Sequence, residues 1–237
     1  MALPKISHPT FDVTIPSLKK KVKMRPMLVK EEKILLMAKT SGDTISIMDS
    51  IRQVVNNCII DKKIDIDKLA TFDVEYLFIK LRAYSVNNIV KVTYHDFIDN
   101  EDYMFDVDLD TVEVIFPENL NNKIKLSDNL YVVMKYPTAK LMSDDSLKDK
   151  IGDELNEYLI RSCIDKIYEG DTVYSAADST DEELTAYIEE LNMNTYDEMR
   201  KFVQNLPRLN HVIEYADREG NVKKIVMSKL NDFFTLR

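Results

Sequence analysis

Glycine, proline and cysteine are scarce in this 237-residue sequence, at four, seven and two residues. So little glycine and proline excludes fibrous repeats and leaves no Gly-rich loop of the kind that cradles nucleotide phosphates. Two cysteines, Cys58 and Cys163, cannot make a disulfide framework or a four-cysteine zinc site. Both fall in amphipathic helical patterns, which predicts two core thiols in a reduced, intracellular protein. Long apolar runs are missing too. No window approaches the roughly 18 consecutive apolar residues of a membrane-spanning helix. Residues 1–10 carry no apolar run behind a basic stretch. Neither membrane insertion nor export by the usual signal is expected.

What is present is material for a core: 45% of the residues are hydrophobic and 31% charged. Disorder is excluded as the main state, and the length allows one large domain or two small ones of roughly 100–200 residues. The 32 Lys and Arg against 41 Asp and Glu give a net charge of −9. That charge is unevenly placed. Residues 1–41 hold nine basic residues and three acidic ones, a +6 segment that leaves −15 on the remainder. A basic N-terminal arm is joined to an acidic body.

Phe11-Asp12-Val13-Thr14-Ile15 alternates as a strand does, Pro16-Ser17 breaks it, and Lys20 to Arg25 alternates again, so a β-hairpin is predicted. A short helix follows from Lys30 and stops at Ser41-Gly42. Asp43 or Thr44 can cap the next helix, with Ile45, Met48, Ile51, Val55, Cys58 and Ile59 on one face. Thr71 or Asp73 begins a third, in which Lys80 and Arg82 are expected to point away from the apolar face. Three strands over 89–94, 103–116 and 124–135 then read as an antiparallel meander, because their turns are too short for crossover helices. A long helix is expected over 147–168, then a short strand near Val173. Two helices follow with capping boxes Ser179/Glu182 or Thr180/Glu183, and Thr195/Glu198. A hairpin over 211–215 and 222–227 closes the chain across the turn ending at Gly220. The class is α+β, with helices packed on antiparallel meander and hairpin regions. The organisation read this way is a basic hairpin arm and short helix over 1–42, a helical pair plus meander over 43–137, and a helical region with a terminal hairpin over 138–237.

Asp106, Asp108 and Asp110 alternate, so a strand would put three carboxylates on one face, where they could hold Mg²⁺, Mn²⁺ or Ca²⁺ for hydrolytic chemistry. The plainer account is the wet face of a half-buried sheet. An EF-hand counted from Asp106 fails, with Thr111 at its glycine position and Pro117 at its bidentate acid. His8, His95 and His211 have no ligand partner at helical spacing, and His95-Asp96 are strand neighbours that point to opposite faces. No nucleophile elbow, dinucleotide fingerprint or phosphate loop occurs. No catalytic residue, cofactor or metal is therefore expected.

Lys19, Lys20, Lys21, Lys23 and Arg25 form the strongest charge signal. They suit a docking arm for an acidic protein surface, or they guard a hairpin edge against aggregation. Nucleic acid ranks last as a partner, because the −15 body repels a polyanion. Phe233 and Phe234, close to the last residue, are either tucked into the core or shown to a partner.

Several stretches together are similar to the baseplate hub proteins of T4-like phages. They are Pro9-Thr10-Phe11 through Ile15-Pro16-Ser17, and Val22-Lys23-Met24-Arg25-Pro26-Met27-Leu28-Val29-Lys30-Glu31-Glu32-Lys33-Ile34-Leu35-Leu36-Met37-Ala38. Phe72-Asp73-Val74-Glu75-Tyr76-Leu77-Phe78, Leu81-Arg82-Ala83-Tyr84-Ser85-Val86 and Leu230-Asn231-Asp232-Phe233-Phe234 complete the resemblance. It implies a non-enzymatic hub subunit or hub assembly factor that contacts other hub or tail proteins, in the virion and in the host cytoplasm during assembly. The alternatives are a tail-assembly chaperone that leaves before maturity and, from the aspartates alone, a metal-dependent hydrolase. The hairpin regions 89–116 and 211–227 have a zinc-ribbon layout but no cysteine in either turn, so no zinc is expected.

Overall fold

The computed structural model describes residues 6–61 and 63–233. The fold is α+β, with seven α-helices and eleven strands among those residues, and every strand pairing is antiparallel. Two compact units share the chain. The first comprises residues up to Ile115 together with those from Arg208 onward, and the second is Phe116–Pro207.

In the first unit, β1 (Phe11–Ile15) and β2 (Lys20–Met24) form a hairpin in register Phe11↔Met24 to Ile15↔Lys20. Alternation puts Phe11, Val13, Ile15, Val22 and Met24 inside and Lys21 and Lys23 outside, while Lys20, opposite Ile15, is exposed at the turn end of its strand. Lys19 closes the turn at φ 51°, its N–H donating to the Ile15 carbonyl at 2.8 Å. Helix α1 (Val29–Ser41) ends at Gly42, whose φ of 68° is the left-handed cap that glycine adopts without strain. Asp43 caps α2 (Thr44–Cys58), accepting from the N–H groups of Ile45 and Ser46.

Helix α3 (Thr71–Ser85) is buried on most sides. Lys80, expected to point outward, is 8% exposed. Its ammonium donates to the carbonyls of Leu109 and Asp110 at 3.1 and 2.7 Å, which satisfies a short 3-10 turn that would otherwise end in bare acceptors. The predicted meander is divided among three sheets. β3 (Ile89–Asp96) and β4 (Glu101–Asp108) pair only with each other, while β5 (Glu113–Ile115) adds to β10 (Arg208–Ala216), whose other edge takes β11 (Val222–Met227).

The second unit is a four-stranded sheet in the order β6 (Lys123–Lys125), β7 (Leu130–Met134), β8 (Ile164–Glu169), β9 (Thr172–Ser175). After β7 come α4 (Ala139–Met142) and α5 (Gly152–Cys163), and after β9 come α6 (Asp181–Glu189) and α7 (Met193–Gln204). Ile124, Val132, Ile160, Ile164, Met199 and Phe202 belong to the apolar core shared by the sheet and the helices. The long helix expected over 147–168 is cut twice. Gly152 starts it in a left-handed conformation, and from Ile164 the chain becomes β8, which pairs with both β7 and β9. Two ladders of backbone hydrogen bonds outweigh the helical period of Ile164 and Ile167, both β-branched. Thr180 and Glu183 form the capping box of α6. Helix α7 is capped by Asn192 and not by Thr195, which lies inside its first turn.

Candidate contact surfaces

The basic arm separates into two kinds of residue. The side chains of Lys21 and Lys23 are exposed on the outer face of the hairpin, and those of Lys19 and Lys20 are exposed at its turn end. Arg25 instead turns inward, 16% exposed at its side chain, and grips the fully buried Glu31 carboxylate with contacts of 3.0 and 3.3 Å. The same guanidinium donates to the Pro26 and Asn57 carbonyls. Burial pushes the Glu31 carboxyl up, but hydrogen bonds from Arg25 and the Leu28 N–H outweigh it and leave the group below the usual range. Arg25 is therefore a clasp between β2, α1 and the end of α2, where a Met24↔Ile59 bridge also ties the hairpin down. Phe11, itself buried, stacks on the exposed Tyr84 ring with centroids 3.9 Å apart.

The three aspartates do not converge. β4 ends at Asp108, whose carboxylate accepts from the Asp110 N–H, so Asp110 leaves the strand and the alternation with it. Asp106 sits across from Lys91 on the wet face, while Val107, Leu109 and Val112 are fully buried. Among the described residues no group of three or more His, Cys, Asp or Glu is placed to hold a metal ion. His95 meets Asp102 across the hairpin at 2.8 Å, not its neighbour Asp96. His211 lies 3.1 Å from the Thr111 hydroxyl, and burial lowers its pKa. Burial pushes the Cys58 thiol up to about 11 and the Cys163 thiol up to about 12, so both stay protonated and unreactive. Phe233 is 1% exposed, packed in the core, and Phe234 lies outside the described residues.

Two surface features were not singled out from the sequence. At the tip of the β3–β4 hairpin, Phe97 and Ile98 are each 86% exposed. Four acids, Asp96, Asp99, Glu101 and Asp102, surround them with no basic residue among positions 96–102. The hairpin is anchored near this end. Asp96, 3% exposed, accepts from Lys223 at 2.7 Å and from the Tyr215 hydroxyl at 2.6 Å, and these bonds hold its carboxyl well below the usual range. Tyr215 also packs among Tyr94, Tyr103 and Phe105.

The other feature is an apolar groove of about 410 Å³ beside α1, lined by Leu28, Leu35, Leu36, Ile51, Phe78 and Leu230 among others. On its walls Val29, Leu36 and Val86 are exposed by 57–70%. The sequence held a signal for each. Two bulky apolar residues in an otherwise acidic turn mark the first, and Ile34-Leu35-Leu36-Met37, too wide for one helix face, marks the second.

The molecule is thus an α+β protein whose distinctive surface features are a lysine arm, an apolar groove and an acidic, apolar-tipped hairpin. Over residues 8–235 its sequence matches the family described as the T4 bacteriophage base plate protein. The match takes in nearly the whole chain, and the protein belongs to that family: it is a phage baseplate protein. No curated protein and no solved structure matches it.

Proposed function

We propose that this chain acts at the central hub of the tail baseplate, as a hub subunit or as a factor that assembles the hub, through protein–protein contacts and without catalysis. The observation that carries the reading is the family match across 8–235, which embraces both compact units and the basic arm. Four exposed lysines on an acidic protein fit an acidic partner among the other hub or tail proteins, with charge setting encounter rate and orientation. Arg25 supports that surface from within. Virion and host cytoplasm during assembly are the corresponding locations.

The test is a pull-down from infected cells with the wild type and with Lys19, Lys20, Lys21 and Lys23 all changed to Gln. Other hub proteins should come down with the first and be depleted with the second. Recovery of the same proteins by both would remove the arm from the contact. Infectious, normally assembled tails after deletion of the gene would sink the hub role itself. Mass spectrometry of purified particles separates a resident subunit from an assembly factor, which would be missing from them.

A further inference from the structure

We propose that the Phe97–Ile98 tip of one copy docks into the apolar groove beside α1 of a second copy, linking this chain head to tail. This stands apart from the hub reading and rests on three observations within the first unit. The shapes are complementary. A two-stranded hairpin carries Phe97 and Ile98 at its convex end, and the groove is a concave apolar site of about 410 Å³. Clefts from about 300 Å³ upward already take sizeable apolar ligands, so two side chains fit such a volume.

The charges are complementary as well. The tip bears Asp99, which accepts from the Tyr103 hydroxyl, and Asp102, which meets His95, in addition to Asp96 and Glu101, paired with Lys223 and Arg218. The groove is lined by Lys39 on α1 and Arg82 on α3, against one acid, Glu32. An acidic apolar knob facing a basic apolar groove is drawn into one register and repelled from the reverse.

The third observation concerns reach. Val86, on the groove wall, precedes β3 by three residues, and β3 runs eight residues from Ile89 to Asp96. At a strand's rise per residue this places the tip about 25 Å along the hairpin from its own groove. Anchoring of Asp96 by Tyr215 and Lys223 opposes any folding back. The groove that a tip can fill is therefore that of another copy. Such a heterologous contact, the same two different patches joined repeatedly, closes into a ring or continues as a filament according to its rotation.

The experiment uses the purified full chain, with sedimentation velocity followed over a concentration series. The wild type should gain mass with concentration and lose it as salt is raised. Phe97→Asp removes the knob and keeps the groove; Leu36→Asp does the reverse, and both sites are exposed, so folding is retained. Each variant alone should be monomeric at every concentration, and an equimolar mixture should form a 1:1 dimer and nothing larger. A wild type that stays monomeric overturns the proposal. So does a variant that associates like the wild type, or a mixture that fails to pair. A pair of monomeric variants without rescue would point to a symmetric contact or a different occupant and reject the head-to-tail geometry.

Discussion

Arg25 sits in the most basic stretch of the chain and yet does something different from its neighbours. Its charge is committed to Glu31, whose side chain has no solvent exposure, so removing the arginine strands a buried carboxylate. Arg25→Ala is expected to cost about 3–5 kcal/mol, as breaking a buried pair from one side does. Lys21→Gln on the outer face should stay within about 0.5 kcal/mol. Urea midpoints compare the two directly, and equal midpoints would contradict the clasp. Because Glu31 titrates below its ordinary value, the pair's contribution is complete above the unfolded pKa near 4.5 and is lost as pH falls through the lower folded value. Glu75 works in the opposite sense. Burial raises its carboxyl to about 7, so the folded state holds a proton that the unfolded state releases, and stability falls as pH rises from about 4.5 to 7. Glu75→Gln should therefore match the wild type near pH 4 and exceed it by about 1–3 kcal/mol at pH 8, given the worth of each pKa unit. A difference that does not change with pH would reject this account.

Among the elements, the β3–β4 hairpin depends on a few anchors, since a two-stranded sheet is marginal by itself. Asp96 binds it to β10 through the Tyr215 hydroxyl and to β11 through Lys223. Asp96→Asn weakens both contacts, and amide exchange should speed up in β3, β4, β10 and β11 while amides of 116–207 keep their rates. Tyr215→Phe, which removes one hydroxyl and keeps the aromatic packing, should give a smaller change in the same amides. Uniform acceleration across the chain would mean that Asp96 serves global stability and not this anchor. Local signals in the sequence located many of the elements involved. Alternation about Pro16-Ser17 marked β1 and β2, Asp43 marked the start of α2, and Gly220 marked the turn between β10 and β11. Partner choice was not legible. β5 pairs with β10 and β7 pairs with β8, far along the chain, so the stretch that reads as one meander is divided among three sheets. The end of α5 was hidden for the same reason, because the ladders that convert Ile164 to strand lie outside any local window. Lys80 deceived in a simpler way: its acceptors are carbonyls about thirty residues distant, so a polar residue belonged inside. At the aspartates, alternation was real as far as Asp108 and failed only where Asp108 turned back to bind the next turn.

At the scale of the whole molecule, the second unit is inserted into the first, and the geometry of the insertion gives a direct test. β5 ends at Ile115 and β10 begins at Arg208, and these two residues are register partners in adjacent antiparallel strands. The first unit therefore needs little from 116–207 to connect its two parts, because paired residues on neighbouring strands stand only about 5 Å apart. A two-residue Asn-Gly turn has the length and twist to join them as a hairpin. Replacing 116–207 with that turn should leave a chain that melts cooperatively and keeps the exchange protection of α3, whose fully buried Val74, Leu77, Ile79 and Leu81 belong to the first unit. The excised segment should fold too. It holds its own contiguous core, with Val132, Ile160, Cys163, Ile164 and Met199 all fully buried, and its sheet takes every strand from within the segment. At about ninety residues it is within the size range of independent domains. Circular dichroism and urea titration of both pieces decide the matter. Cooperative unfolding of each supports two domains joined by insertion, whereas a first unit that loses its melt on excision would show that its core draws stability from residues 116–207.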